Sequence, residues 1–177
     1  MLIRAKGKAG IKVIDFGSGT FRNDQFYTYI QSLYYRAPEI VLSIKGYSQA
    51  IDMWSYGCIL FELYTGVILF HAVDGLDHFS KIVEVRGVPP KKMIKEARCQ
   101  NWPRMFRRHD LSPIMTTNSR GEVRVPGSKS LRDLLRTKDR DFEDYLDKLL
   151  QWDKDERMNA EQALSHPFIT KAVTEIR

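Results

Sequence analysis

The chain has 177 residues, 43% hydrophobic and 28% charged, a balance that suits a folded globular protein and excludes a disordered one. Cys58 and Cys99 stand far apart without a Cys-x-x-Cys pattern, and the four histidines lack ligand spacing, so neither a disulfide framework nor a zinc site is expected. The net charge of +6 is uneven: Lys81 to Arg108 carries nine Lys or Arg against two Glu, a stretch that suits phosphate, nucleic acid or acidic substrates, or simply a solvated face.

No apolar run is long enough to span a bilayer, and no secretory apolar stretch follows the basic start. An intracellular protein, in cytoplasm or nucleus, is the expectation.

In chain order, the β-branched run Ile11-Lys12-Val13-Ile14 reads as a strand that delivers Asp15 to its end. Gly17 to Arg36 is polar, aromatic and without period, and reads as a long loop of the functional kind. Ser48 reads as the N-cap of a helix running to about Thr65, with Gly66 as its stop. That helix is apolar on nearly every side, as a buried central helix is. A second helix is expected over Gly75–Arg86, ended by Pro89-Pro90. From there to about Asp139 the text is irregular, with a hairpin turning at Asn118 to Gly121. Phe142, Tyr145, Leu146, Leu149 and Leu150 mark one closing helix, and Ala160 to Leu164 a shorter one ended by His166-Pro167.

Four motifs occur in a telling order. Asp15-Phe16-Gly17, Ala37-Pro38-Glu39, Asp52-Met53-Trp54-Ser55-x-Gly57-Cys58, and Arg157 ahead of His166-Pro167-Phe168 together resemble the C-terminal lobe of a eukaryotic protein kinase. Tyr35-Arg36-Ala37-Pro38-Glu39 and the long stretch after the second helix resemble the CMGC group. Tyr27-Thr28-Tyr29-Ile30-Gln31-Ser32 resembles the activation loop of the DYRK family, and Pro126-Gly127-Ser128-Lys129-Ser130-Leu131 its second subclass.

This resemblance implies a mainly α fold: one partial kinase domain over 1–177. Its parts would be an activation segment at 15–39, a central helix at about 48–65, a CMGC-type insertion with a small hairpin at about 88–139, and final helices at about 140–168. Asp15 is implied as the carboxylate that holds Mg²⁺ across the ATP phosphates. Tyr29 matches the tyrosine that DYRK kinases phosphorylate on themselves, and Arg36 the partner of its phosphate. Leu33 stands where DYRK loops usually carry a second arginine, so the phosphate would be held less tightly. Glu39 and Arg157 are implied to form a buried ion pair, and Asp52 to anchor the catalytic loop from below. Val67-Ile68-Leu69-Phe70-His71-Ala72 departs from the usual CMGC turn, so docking preferences there do not carry over.

A glycine-rich loop, a strand lysine with its Glu partner, and the catalytic-loop Asp and Asn lie upstream of Asp-Phe-Gly in a kinase, and this sequence shows none of them. The chain alone is therefore expected to be inactive, without productive ATP or Mg²⁺ binding. The expected partners are protein substrates or an N-terminal kinase lobe, with no membrane; nucleic-acid binding through Lys81 to Arg108 is the least favoured reading. The alternative is a non-catalytic binding module built on the kinase substrate face.

Overall fold

The computed structural model describes residues 2–3, 11–21 and 30–175, with the side chains of 11–21 and 30–171, and among these residues helices dominate. Strand β1 (Leu2–Ile3) pairs antiparallel with β2 (Ile11–Lys12) in the register Leu2 to Lys12 and Ile3 to Ile11. The strand expected to reach Ile14 stops at Lys12, because no partner continues the ladder beyond it among the described residues. A 3₁₀ turn at Leu33–Tyr35 leads into the short helix α1 (Pro38–Val41), whose proline occupies the first turn, where its missing N–H costs nothing.

The central helix α2 (Ala50–Thr65) ends at Gly66, which takes the left-handed conformation at φ 75° and donates its N–H to the Glu62 carbonyl. Its start differs from expectation. Gln49 is the N-cap, and Ser48 lies one residue too early, so its Oγ reaches only the Ala50 N–H at 3.3 Å. Ile51, Trp54, Gly57, Cys58 and Phe61 are buried, whereas Leu63 and Tyr64 are 60% and 52% exposed. The last turn of α2 thus turns Leu63 and half of Tyr64 toward solvent while Tyr64 still meets the Phe142 ring at 5.0 Å, so its apolar character there is only partly core.

Helix α3 (Gly75–Arg86) has the expected bounds and is capped by Asp74, whose carboxylate accepts from the Leu76 and Asp77 N–H groups. It stops at Gly87, at φ 71°, before the prolines are reached, and Pro90 instead caps α4 (Lys91–Glu96). Residues 88–139 are therefore less irregular than their composition suggests. They hold α4, α5 (Trp102–Met105) and α6 (Leu131–Leu135). These helices of four to six residues are too short to stand on propensity. Buried Met93, Ile94, Met105, Leu131 and Leu135 hold them. The hairpin forms where expected, with Thr117 opposite Val123 and the Asn118 N–H bonded to the Glu122 carbonyl.

Helix α7 (Arg140–Leu149) lays its stripe of Phe142, Tyr145, Leu146 and Leu149 inward. A full capping box between Asn159 and Gln162 starts α8 (Ala160–Leu164). That helix ends at Leu164, ahead of His166-Pro167 as expected, and Pro167 then opens a further helix, α9 (Pro167–Glu175).

The core lies on two sides of α2. On one, Trp54 stacks on Phe70 at 5.7 Å within a buried cluster that includes Phe79, Ile82 and Ile94; on the other, Phe61 belongs to a cluster with Tyr145, Leu146 and Leu149. Among the described residues no helix is long and apolar enough to cross a membrane.

Candidate functional site

The site forms where the segment ending in Ala37-Pro38-Glu39 is pinned to α2 and α3. Gln31 adopts a left-handed backbone at φ 67°, a conformation that costs a non-glycine residue on the order of 1–3 kcal/mol. Its side chain offsets that cost. The amide Nε2 donates to the Ile51 carbonyl at 3.0 Å and to Ser55 Oγ at 2.8 Å, while Oε1 accepts from the Ala37 N–H at 2.9 Å. Ser55 Oγ in turn donates to the Tyr35 carbonyl at 2.7 Å. One glutamine thus ties both ends of the 31–37 turn to the first half of α2.

Arg36 is buried, and its guanidinium donates to the carbonyls of Ile30 at 3.0 Å and Gln31 at 2.8 Å. Its own carbonyl accepts from His78 Nε2 at 3.1 Å, which links the turn to α3. His78 is fully buried, and burial pushes its pKa down to about 4, so the ring is neutral with the proton on Nε2. Tyr35 donates to Glu62 on α2 at 2.7 Å; that bond to a carboxylate, with burial, pushes the phenol up to about 12.

Glu39 and Arg157 form a two-pronged ion pair, Nη1 to Oε1 at 2.8 Å and Nη2 to Oε2 at 2.9 Å, with side chains 2% and 0% exposed. Arg157 also donates to the carbonyls of Ala50 and Gln151, and it lies 5.3 Å above the Trp54 ring. Every donor has a direction to point in, as a buried guanidinium requires. Removing either partner would strand a buried charge, at a cost of about 3–5 kcal/mol.

Asp15 stands apart from this cluster, exposed, with φ 63°. The Gly17 N–H approaches its Oδ1 at 3.3 Å, and a Cβ on Gly17 would lie 3.3 Å from the same oxygen, so glycine keeps that side of the carboxylate clear. Among the described residues no group of three His, Cys, Asp or Glu could hold a metal. Mg²⁺ commonly takes one or two carboxylates and completes its shell with phosphate oxygens and water, so Asp15 fits as one ligand of such a site. Asp52, exposed in the first turn of α2, borders a hollow of about 200 Å³ with Ser18, Gly19, Thr20 and Phe21, and partial desolvation raises its carboxyl pKa. Tyr29 lies outside the described residues.

Of the residues singled out from sequence, the structure brings Glu39 and Arg157 together and sets Arg36 close by, while Asp15 and Asp52 face other surroundings. Gln31, Ser55 and His78 carried no assigned role in the sequence. Gln31 lies inside the Tyr29-Ile30-Gln31-Ser32 string that resembles the DYRK loop, which was its signal; His78 had none.

The chain matches the protein kinase domain family over residues 1–169. It is 46% identical over 169 residues to dual specificity tyrosine-phosphorylation-regulated kinase 2 of Drosophila melanogaster, a match spanning 96% of the chain and 23% of that protein. It is 42% identical over 174 residues to the probable serine/threonine-protein kinase dyrk2 of Dictyostelium discoideum, spanning 98% and 19%. To dual specificity tyrosine-phosphorylation-regulated kinase 4 of Homo sapiens it is 43% identical over 169 residues, spanning 96% and 32%. The chain thus spans 19% to 32% of the length of these relatives. A pinned Ala-Pro-Glu segment, an open Asp-Phe-Gly carboxylate and these identities converge: the chain belongs to the protein kinase family and, within it, to the DYRK kinases.

Proposed function

We propose that the chain supplies the C-terminal lobe of an ATP-dependent, dual-specificity protein kinase that phosphorylates serine or threonine of protein substrates and a tyrosine of its own activation segment. The observation that carries this reading is the polar lock on the 31–39 turn, made by Gln31, Arg36, His78 and the Glu39–Arg157 pair. It fixes a strained backbone on the rigid α2 and α3, and strain so heavily supported is a mark of a working surface. In this reading residues 15–39 are the activation segment and 88–139 the CMGC-type insertion. An intracellular location accompanies it.

Asp15 would hold Mg²⁺ over the ATP phosphates, where the ion neutralises charge on the phosphoryl group in transfer. The residues of this chain then divide the remaining tasks. The 31–37 turn presents the accepting segment, Glu39 and Arg157 hold that turn on the helices, and Asp52 meets the catalytic loop. Tyr29 is the proposed self-phosphorylated residue, with Arg36 as its phosphate partner. Residues 1–177 alone are expected to transfer no phosphate, since orienting ATP and the accepting hydroxyl needs groups these residues do not contain.

The test is a fusion. The chain is joined downstream of the N-terminal half, through the catalytic loop, of the Drosophila relative and assayed with labelled ATP and a generic basic protein substrate. The fusion is expected to transfer phosphate and to carry it on Tyr29 by mass spectrometry. Asp15→Ala should lower transfer by at least about a hundredfold. Equal transfer by the folded Asp15→Ala fusion would refute the assignment.

A further inference from the structure

The basic stretch seen in the sequence separates into two parts in the structure. Lys81 and Arg86 are paired, with Asp77 at 3.3 Å and Asp147 at 2.6 Å, and Glu84 is taken by Arg124 and Lys129. What remains, from Lys91 to Arg108, is seven cations against one acid, Glu96. All seven are exposed, and none makes an ion pair with a described residue, in contrast to the arginines and lysines of α3, α6 and α7.

Part of this stretch is one connected face on a rigid base. Lys91, Lys92 and Lys95 share the outer side of α4, whose inner side buries Met93 and Ile94. Trp102 Nε1 donates to the Ile94 carbonyl at 3.1 Å and holds α5 against α4. Arg98 folds over the end of α4, donating to the Lys95 and Ala97 carbonyls, while its N–H bonds the Leu42 carbonyl at 2.9 Å. Lys45 shares with Arg98 a shallow hollow of about 410 Å³.

This arrangement works against the helix that carries it. Lys91 and Lys95 are like charges one turn apart, and two lysines in the first turn oppose the helix macrodipole. No capping side chain and no acid in that turn offset them. Glu96, one turn from Lys92, and Asp155 offset only part of this positive charge, and a local conflict so incompletely compensated points to a use outside the chain.

We propose that Lys45, Lys91, Lys92, Lys95 and Arg98 form a docking surface for a short Asp/Glu-rich segment of a partner protein. The carboxylates of such a segment supply the missing counter-charges and relieve the repulsion on α4. Nucleic acid fits the face less well. No exposed aromatic ring offers a base a stacking surface, since Trp102 is half-buried and Phe106 buried. The face is also bounded by Glu96 and by Asp155, whose carboxyl is held low chiefly by Lys154 and also by Lys92. An extended peptide of about six residues spans roughly 20 Å and suits a patch so limited.

The experiment titrates a fluorescein-labelled oligoglutamate peptide with the full chain and reads anisotropy at low and at physiological salt. Saturable binding that weakens with salt is expected. Lys91→Ala/Lys92→Ala/Lys95→Ala should weaken it about tenfold, the sum of three partly exposed charge contacts. Lys138→Ala, an exposed cation elsewhere, should leave it unchanged. Lys45→Glu, outside α4, tests the same face independently of that helix's folding and should also weaken binding. Undiminished peptide binding by the folded variants would overturn the proposal. So would tighter binding of a short DNA duplex that depends on the same residues.

Discussion

Burial keeps the His78 ring neutral, and that has a measurable consequence. The unfolded chain carries this residue at its ordinary value of 6.5, while the folded chain holds it near 4. As pH falls below 6.5 the unfolded state takes up a proton that the folded state refuses, so stability is lost progressively down to pH 4. Above 6.5 both states are neutral and the residue adds no pH dependence. The full loss is about 3 kcal/mol. His78→Gln retains an amide donor for the Arg36 carbonyl but cannot titrate. Urea unfolding across this range should therefore show a shallower acid slope for the variant; parallel curves for both proteins would rule out a neutral buried ring. At the same scale, Gln31 shows why motif reading stops short. Its place in a DYRK-like string is visible in sequence, but its left-handed backbone and three side-chain bonds depend on Ile51, Ser55 and Ala37.

Among the elements, α2 and α7 decide the packing, and Gly57 sets how closely they approach. A Cβ at Gly57 would lie 3.0 Å from Leu150 Cδ2 and 3.1 Å from Leu149 Cβ. The second neighbour is fixed to its backbone and cannot move aside by changing rotamer. Gly57→Ala gains about 1 kcal/mol of helix propensity but overpacks the contact by about 1–3 kcal/mol, so the net effect is destabilising. Gly75→Ala is the matched comparison: it lies in the first turn of α3, and nothing is within 4 Å of its added Cβ. Thermal unfolding should rank Gly57→Ala below the parent chain and Gly75→Ala at or above it. The reverse order would mean that α7 is not packed against Gly57. Helices α2, α3 and α7 were legible from period and stop signals. The short α4, α5 and α6 were not, because buried anchors rather than local preference hold them.

Across the whole molecule, apolar side chains around Asp15 face outward. Ile11 and Val13 are each 61% exposed, Phe16 75% and Phe21 83%. Large residues this close together and this exposed mark an interaction surface or an aggregation hazard. The chain in isolation is accordingly expected to self-associate and to bind a hydrophobic dye. Phe16→Ser with Phe21→Ser should reduce both, as light scattering and dye fluorescence would show. A monodisperse parent chain with dye binding equal to the variant's would contradict this.

By itself the sequence determined the family, through motifs in a fixed order, and the long helices, whose periodicity and stops are local properties. It also pointed to Glu39 and Arg157 as partners, but only through resemblance, since 118 residues separate them. Tertiary structure alone decided the lock on the 31–39 turn, the exposure of the last turn of α2, and which cations of the basic stretch stay unpaired. The physical reason is common to all three. Each depends on which distant carbonyl, carboxylate or apolar side chain folding brings within a few ångströms, and no local pattern in the chain encodes that distance.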